Sequence, residues 1–182
     1  MQPPIYHTPK IWTLPEFLTP AECNELIAQS EAMGYEEAKV SLSSGAVKMP
    51  GLRNNYRLIF SDKGLADRYW ELVRMAVPEE MDGALAVGLN EQFRFYKYGS
   101  GQRFKRHIDG RFRRNEKEES RITFMIYLNE DYEGGETAFD DVTIHPRTGD
   151  ALLFIHEQKH ESIPIRSGVK YVLRSDVMYA RE

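Results

Sequence analysis

From Gln92 onward the apolar residues fall into short runs of period two, and this pattern constrains the fold more than any other feature of the chain. Runs at about 92–98, 121–128, 135–139, 142–145, 150–155 and 170–179 are rich in aromatic and β-branched residues and are separated by Gly, Pro and Asp. Alternate side chains of a strand leave opposite faces, so each run reads as a buried or half-buried strand. Two helical segments precede them. Thr19-Pro20-Ala21-Glu22 supplies an N-cap, a proline at the first helical position and an acid three residues after the cap. It predicts a helix to about Ala32 that buries Leu26 and Ile27 and stops near Gly34. A second helix is predicted from Asp62 to about Ala76, with Leu65, Tyr69, Leu72, Val73 and Ala76 at helical spacing and Pro78 beyond its end. The Ser- and Gly-rich stretch from Ser41 to Pro50 reads as a flexible loop. The order predicts an α+β, mainly β chain: a double-sheet jelly roll with N-terminal helices packed on one sheet. A length of 182 residues suits one domain, helical over about 1–90 and β over about 91–180.

Lysine and arginine total 24 against 28 acids, a formal net charge of −4, which argues against a protein that grips nucleic acid over its whole surface. The one cysteine, Cys23, forms no internal disulfide, and Met1-Gln2-Pro3-Pro4 lacks the charged start and apolar run of a secretory signal. No apolar run approaches the roughly 20 residues of a membrane helix. The expectation is a soluble, cytoplasmic protein with no membrane partner; the sequence leaves its oligomeric state open.

His107-Ile108-Asp109 places two metal-capable side chains on one face of an extended segment. His160, just past the apolar run 150–155, could approach from a neighbouring strand as a third ligand. Two histidines and a carboxylate on one face of an octahedron are the ligand set of non-haem Fe(II) oxygenases. A His-x-Asp alone is weak evidence. His156 competes with His160, while His7 and His145 have no partners at ligand spacing.

Context strengthens the set. Tyr98-Gly99-Ser100-Gly101-Gln102-Arg103-Phe104-Lys105-Arg106-His107-Ile108-Asp109 is followed by Tyr127-Leu128-Asn129, Gly134-Gly135-Glu136-Thr137-Ala138-Phe139 and Gly149-Asp150-Ala151-Leu152-Leu153-Phe154. His160, Pro164, Gly168, Val169 and Lys170 come next. In this order, over roughly 92–179, the motifs resemble the 2-oxoglutarate- and Fe(II)-dependent dioxygenases of the prolyl 4-hydroxylase type. The resemblance implies a double-stranded β-helix and hydroxylation of a C–H bond, with O2 as cosubstrate, succinate and CO2 as coproducts, and room for ascorbate. It implies that His107, Asp109 and His160 bind iron, with His160 rather than His156 at the family spacing to Lys170. It gives Lys170 the far carboxylate of 2-oxoglutarate, Tyr127 a hydrogen bond to that carboxylate and Tyr98 a place in the pocket.

Alternation puts Arg121, Thr123, Met125 and Tyr127 opposite Ile122, Phe124, Ile126 and Leu128, so Tyr127 can face a cavity. Arg174 shares a face with Lys170 and, as a two-pronged donor, competes with it as anchor; its bland role is an ion pair with Asp176. Phe95, Phe104, Phe139 and Phe154 suit cavity walls or plain core.

On the substrate side, Arg103, Lys105, Arg106, Arg111, Arg113, Arg114 and Lys117 could form a basic rim, unless Glu116, Glu118 and Glu119 neutralise it. By analogy with the peptide groove of prolyl hydroxylases, Arg53, Asn55 and Arg57 are candidates for substrate contact, with Arg111 on the rim. The substrate would be a prolyl or other peptidyl residue, or a small molecule. A nucleic-acid demethylase on the same scaffold and a zinc-dependent hydrolase using the same His-Asp-His set are the alternatives. The hydrolase leaves Lys170, Arg174 and Tyr127 without a role.

Overall fold

The computed structural model describes residues 2–38, 40–42, 45–47, 49 and 51–181. Its main elements are β1 (Ile5–Thr8), β2 (Ile11–Leu14), α1 (Pro20–Met33), β3 (Tyr56–Ser61), α2 (Lys63–Val73), β4 (Ala84–Leu89) and β5 (Gln92–Tyr98). There follow β6 (Phe104–His107), β7 (Glu118–Tyr127), β8 (Thr137–Phe139), β9 (Thr143–Ile144), β10 (Ala151–Ile155), β11 (His160–Ser162) and β12 (Lys170–Ala180). A ten-stranded antiparallel sheet runs β1-β2-β10-β7-β12-β5-β3 and ends on Glu36–Glu37, with β4 pairing the far half of β12 and Glu80–Met81 pairing β4. Facing it, a four-stranded sheet runs β6-β11-β8-β9. This is the mainly β, two-sheet architecture expected from the periodicity.

The helices form where their caps stand. Thr19 and Glu22 make a complete capping box at α1, and Gly34, at φ 85°, takes the C-cap. Asp62 caps α2 by accepting the Leu65 N–H at 2.8 Å. The α-helix ends at Val73 and one 3-10 turn, Arg74–Ala76, carries on to the predicted end. Leu72 points outward at 42% exposure, because Ala66, Tyr69 and Val73 already define the buried face.

The first ninety residues are less helical than the sequence suggests, since β1 to β4 all join the large sheet. Four- to six-residue strands whose partners lie far along the chain leave little local signal. The expected 41–50 loop contains a short hairpin, Val40–Leu42 against Gly45–Val47; Ser43, Ser44, Lys48 and Pro50 lie outside the described residues.

The large sheet separates two cores. On its helix side, Ile122, Phe124, Ile126, Leu173, Val177, Phe93 and Phe95 pack with Cys23, Leu26, Tyr69 and Val73. Phe17 meets Tyr69 and Phe124 edge-on at centroid distances of 5.5 and 5.3 Å, locking helices to sheet. On the other side, Tyr96, Tyr98, Met125, Phe154 and Val172 face the small sheet across a cavity, with Tyr127 and Leu152 packed behind them.

Candidate active site

The small sheet brings the two histidines together: β6 pairs β11 antiparallel with His107 directly opposite His160, and their rings lie 4.3 Å apart. Asp109, just past β6, turns its carboxylate between them. Its Oδ1 lies 3.5 Å from His107 Nε2 and its Oδ2 3.7 Å from His160 Nε2. Among the described residues, these three form the one group of His, Cys, Asp and Glu side chains able to share a metal, with ligand atoms within 4.8 Å of one another.

Each ring is oriented from behind. His107 Nδ1 hydrogen-bonds the Lys105 carbonyl at 2.8 Å and His160 Nδ1 the Gln158 carbonyl at 3.0 Å. Donating Nδ1–H to a carbonyl leaves the Nε2 lone pair aimed at the centre, the tautomer a metal takes. Burial pushes the His160 imidazole down to about 4 against the pull of Asp109, so it is neutral at ordinary pH. Burial opposes the charge on Asp109, but the Arg174 guanidinium beside it holds its carboxyl well below the usual range. Two imidazoles with Nε2 turned inward and an ionised carboxylate are the donor chemistry of a facial iron site, and these residues fit such an ion.

Asp109 is itself held. Arg174 Nη1 donates to its Oδ1 at 2.8 Å, and Thr123 Oγ1 to its Oδ2 at 2.6 Å. Thr123 also shares a hydrogen bond with His156 Nδ1 at 3.0 Å, and His156 Nε2 one with Ser120 Oγ at 2.8 Å. His156 is thus placed behind the carboxylate instead of among the potential ligands. His7 bonds Thr13, and His145, just past β9, is exposed; neither joins the cluster.

Deeper in the same cavity sits Lys170, 1% exposed. Its Nζ donates to the Gly135 carbonyl at 2.5 Å, lies 3.4 Å from Ser162 Oγ, and stands over the rings of Tyr98 and Tyr127 at 5.5 and 5.3 Å. Among the described residues it has no ion-pair partner, and burial pushes it down to about 7 while Glu136 pulls it back. A buried ammonium lined by hydroxyls and rings is built to take a carboxylate. Glycines at 134 and 135, at φ 78° and 71°, are what let the Gly135 carbonyl reach it. A Cβ at Gly135 would lie 2.5 Å from Ile165 Cδ1, and one at Gly134 would collide with the Pro164 carbonyl.

Arg174, the rival anchor, is engaged elsewhere: besides Asp109 it donates to Asp176 Oδ1 at 3.0 Å, and Arg94 Nη1 donates to Asp176 Oδ2 at 3.1 Å. Tyr98 lines the cavity as expected. Tyr127 does not reach its surface, because its hydroxyl shares a 2.7 Å hydrogen bond with Thr137, and Thr137 stands at the wall in its place. Phe104 and Phe154 are walls, Phe139 backs Phe154 at 5.1 Å, and Phe95 belongs to the opposite core.

An open groove leads from His107 and Asp109 to the surface, and Arg53, Arg57 and Arg111 line it. Asn55 does not. It is 1% exposed, with its Oδ1 accepting from Arg53 Nε at 2.6 Å and its Nδ2 donating to the Tyr56 carbonyl at 2.8 Å. The expected basic rim is largely neutralised. Arg111 reaches Glu119 and Glu157, each at 2.5 Å; Arg114 pairs with Glu91 and Glu118, and Arg106 with Asp140 and Glu161. Sequence reasoning missed Arg94, Tyr96, Thr137 and Ser162. Only the alternation along 92–98 held a signal, for Arg94 and Tyr96 share the face of Tyr98.

Residues 93–175 match the sequence model of the 2OG-Fe(II) oxygenase superfamily. The fold is similar to that of a viral collagen prolyl hydroxylase from Paramecium Bursaria Chlorella virus-1, solved as a 2OG complex, at 21% identity over 94% of this chain and 96% of that one with a TM-score of 0.70. A Pseudomonas putida prolyl-4-hydroxylase gives 21% identity over 95% and 93% with a TM-score of 0.68. A Trichoplax adhaerens prolyl hydroxylase, in complex with a hypoxia inducible factor oxygen degradation domain peptide fragment, gives 18% over 93% and 84% with a TM-score of 0.72. No curated protein sequence matches the chain. Residues 93–175 are thus similar to a 2OG-Fe(II) oxygenase domain, the fold is a jelly roll like that of the prolyl hydroxylases above, and the His107, Asp109 and His160 cluster fits the iron such domains hold.

Proposed function

We propose that the protein hydroxylates a C–H bond of a peptidyl residue, proline foremost, releasing succinate and CO2. The observation that carries this reading is the joint presence, in one cavity, of the His107, Asp109 and His160 cluster and the buried, unpaired Lys170. His107, Asp109 and His160 would hold Fe(II), and Lys170, with Tyr98, Thr137 and Ser162 beside it, the far carboxylate of 2-oxoglutarate. When bound, that pair supplies O2 activation coupled to oxidative decarboxylation. The chain's own work is to aim the two Nε2 lone pairs, keep Asp109 ionised through Arg174 and Thr123, and wall the site with Phe104 and Phe154 so that water is kept from it. A peptide substrate is supported by the open groove and by the peptide in the Trichoplax enzyme complex. A zinc hydrolase leaves the buried Lys170 unused, and the ion-paired rim gives a nucleic-acid substrate little support.

Anaerobic titration of metal-free protein with Fe(II) and then 2-oxoglutarate tests this. A visible charge-transfer band that saturates at one equivalent, and vanishes in Asp109→Ala while that variant still melts cooperatively, is the expected result. Metal binding with no band on adding 2-oxoglutarate would overturn it.

A further inference from the structure

The groove beside the triad holds more positive charge than its acids neutralise. Arg53, Arg57, Arg94, Arg111 and Arg174 all line it. Arg94 and Arg174 are spent on Asp176 and Asp109, and Arg111 on Glu119 and Glu157. Two guanidinium groups are left over. Arg57 has no hydrogen bond or ion pair among the described residues; its strand register sets it between Tyr96 and Glu36, whose charge acts on it more weakly than Arg53 does. Arg53 is 5% exposed, its guanidinium is sandwiched 4.4 Å from both the Tyr96 and Phe104 rings, and its buried Nη2 has no hydrogen-bond partner. A buried N–H without an acceptor costs free energy until something supplies one.

The local field agrees. Burial alone would raise the Tyr96 phenol, yet Arg174, Arg53 and Arg94 together draw it below its ordinary value. Arg57 is lowered by burial first and then by Arg53, as expected of a cation crowded by another.

We propose that Arg57, with Arg53 Nη2 behind it, receives a carboxylate of the substrate, so that the enzyme takes acidic peptides whose Asp or Glu lies close to the hydroxylated residue. The proposal rests on the peptide reading above and adds the charge of the peptide to it. A carboxylate offers two acceptor oxygens to the two donors, in the charge-assisted geometry that arginine favours. The outer wall adds apolar contact, because Ile108 is 50% exposed at the groove and Leu52 and Phe112 border it.

The test uses fluorescein-labelled nonapeptides of glycine and alanine around one proline, with Asp, Asn or Lys at a single flanking position varied along the series. Binding to the full chain, supplied with Mn(II) and 2-oxoglutarate, is read by fluorescence anisotropy in wild type, Arg57→Ala and Arg57→Lys, with thermal melting as the control for folding. The best Asp peptide should bind about tenfold tighter than its Asn counterpart at low salt. The margin should shrink as salt is raised, disappear in Arg57→Ala and partly return in Arg57→Lys. Equal affinity for Asp and Asn peptides, failure of every Asp peptide to bind, or a margin that survives in Arg57→Ala overturns the inference. Protein that forms the Fe(II) and 2-oxoglutarate band without this margin loses only the charge preference. Protein with the margin but no band loses the proposed reaction.

Discussion

The two faces of the large sheet share one backbone and do opposite work. On β7, Ile122, Phe124 and Ile126 enter the helix-side core, while Thr123 and Met125 face the cavity. On β12, Leu173 and Val177 go one way and Lys170, Val172 and Arg174 the other. The helix side is apolar, and each large side chain buried there contributes about 1.5–3 kcal/mol. The cavity side buries Asp109, Asp176 and Lys170, with Arg174 half-buried beside them, groups whose desolvation opposes folding unless partners compensate. One face therefore stabilises the arrangement that the other uses.

The largest effect that would sharpen this contrast is Phe124→Ala. It should cost about 3–5 kcal/mol in urea unfolding, as for a truncated core aromatic, with metal affinity of the folded fraction unchanged. A metal affinity that fell in step with stability would break the division of labour. Thr123→Val, one residue along and on the other face, should do the reverse. Losing the hydroxyl that holds Asp109 should weaken Mn(II) binding by about 10–100-fold, read by metal titration, at a stability cost of about 1–3 kcal/mol for the His156 N–H left unpaired, less than that of Phe124→Ala.

The effect smallest per step of the experiment concerns Lys170. Its folded value, about 7, lies below the unfolded value of 10.5, so between those limits the unfolded chain binds more protons and stability rises with pH. Relative to Lys170→Met, metal-free wild type should gain about 1 kcal/mol per pH unit from pH 7 toward 10, and nothing below pH 7. A flat difference across that window would show that Lys170 is not held in a dry site.

The cavity face was partly legible because its chemistry is periodic. Alternation put His107 and Asp109 on one face, the resemblance to the dioxygenases chose His160 over His156 as their partner, and alternation separated Thr123 and Tyr127 from the apolar residues of β7. What stayed hidden depends on strand register. Nothing local tells that Arg57 lies opposite Tyr96 or that Arg94 lies opposite Arg174, because those pairs are set by β3, β5 and β12 meeting across long stretches of chain. Alternation also says which face Tyr127 leaves by, but not that Thr137 meets its hydroxyl first. The rim was half legible: Glu118 and Glu119, close in sequence, pair with Arg114 and Arg111 as the alternative reading had them, while Glu91 and Glu157 fold back from far along the chain.

The hydroxyls and imidazole behind Asp109 can be arranged in one sense only. An ionised carboxylate accepts and never donates, so the single proton of Thr123 is committed to Asp109. Thr123 must then receive the N–H of His156 Nδ1, which leaves Nε2 as an acceptor for the Ser120 hydroxyl, and Ser120 in turn receives the Phe112 N–H at 2.8 Å. The imidazole is fixed as the neutral Nδ1–H form, in keeping with the downward push that burial exerts on it. The four links run from the Phe112 amide at the groove wall to the carboxylate with a common polarity, so turning any one rotor breaks two bonds at once.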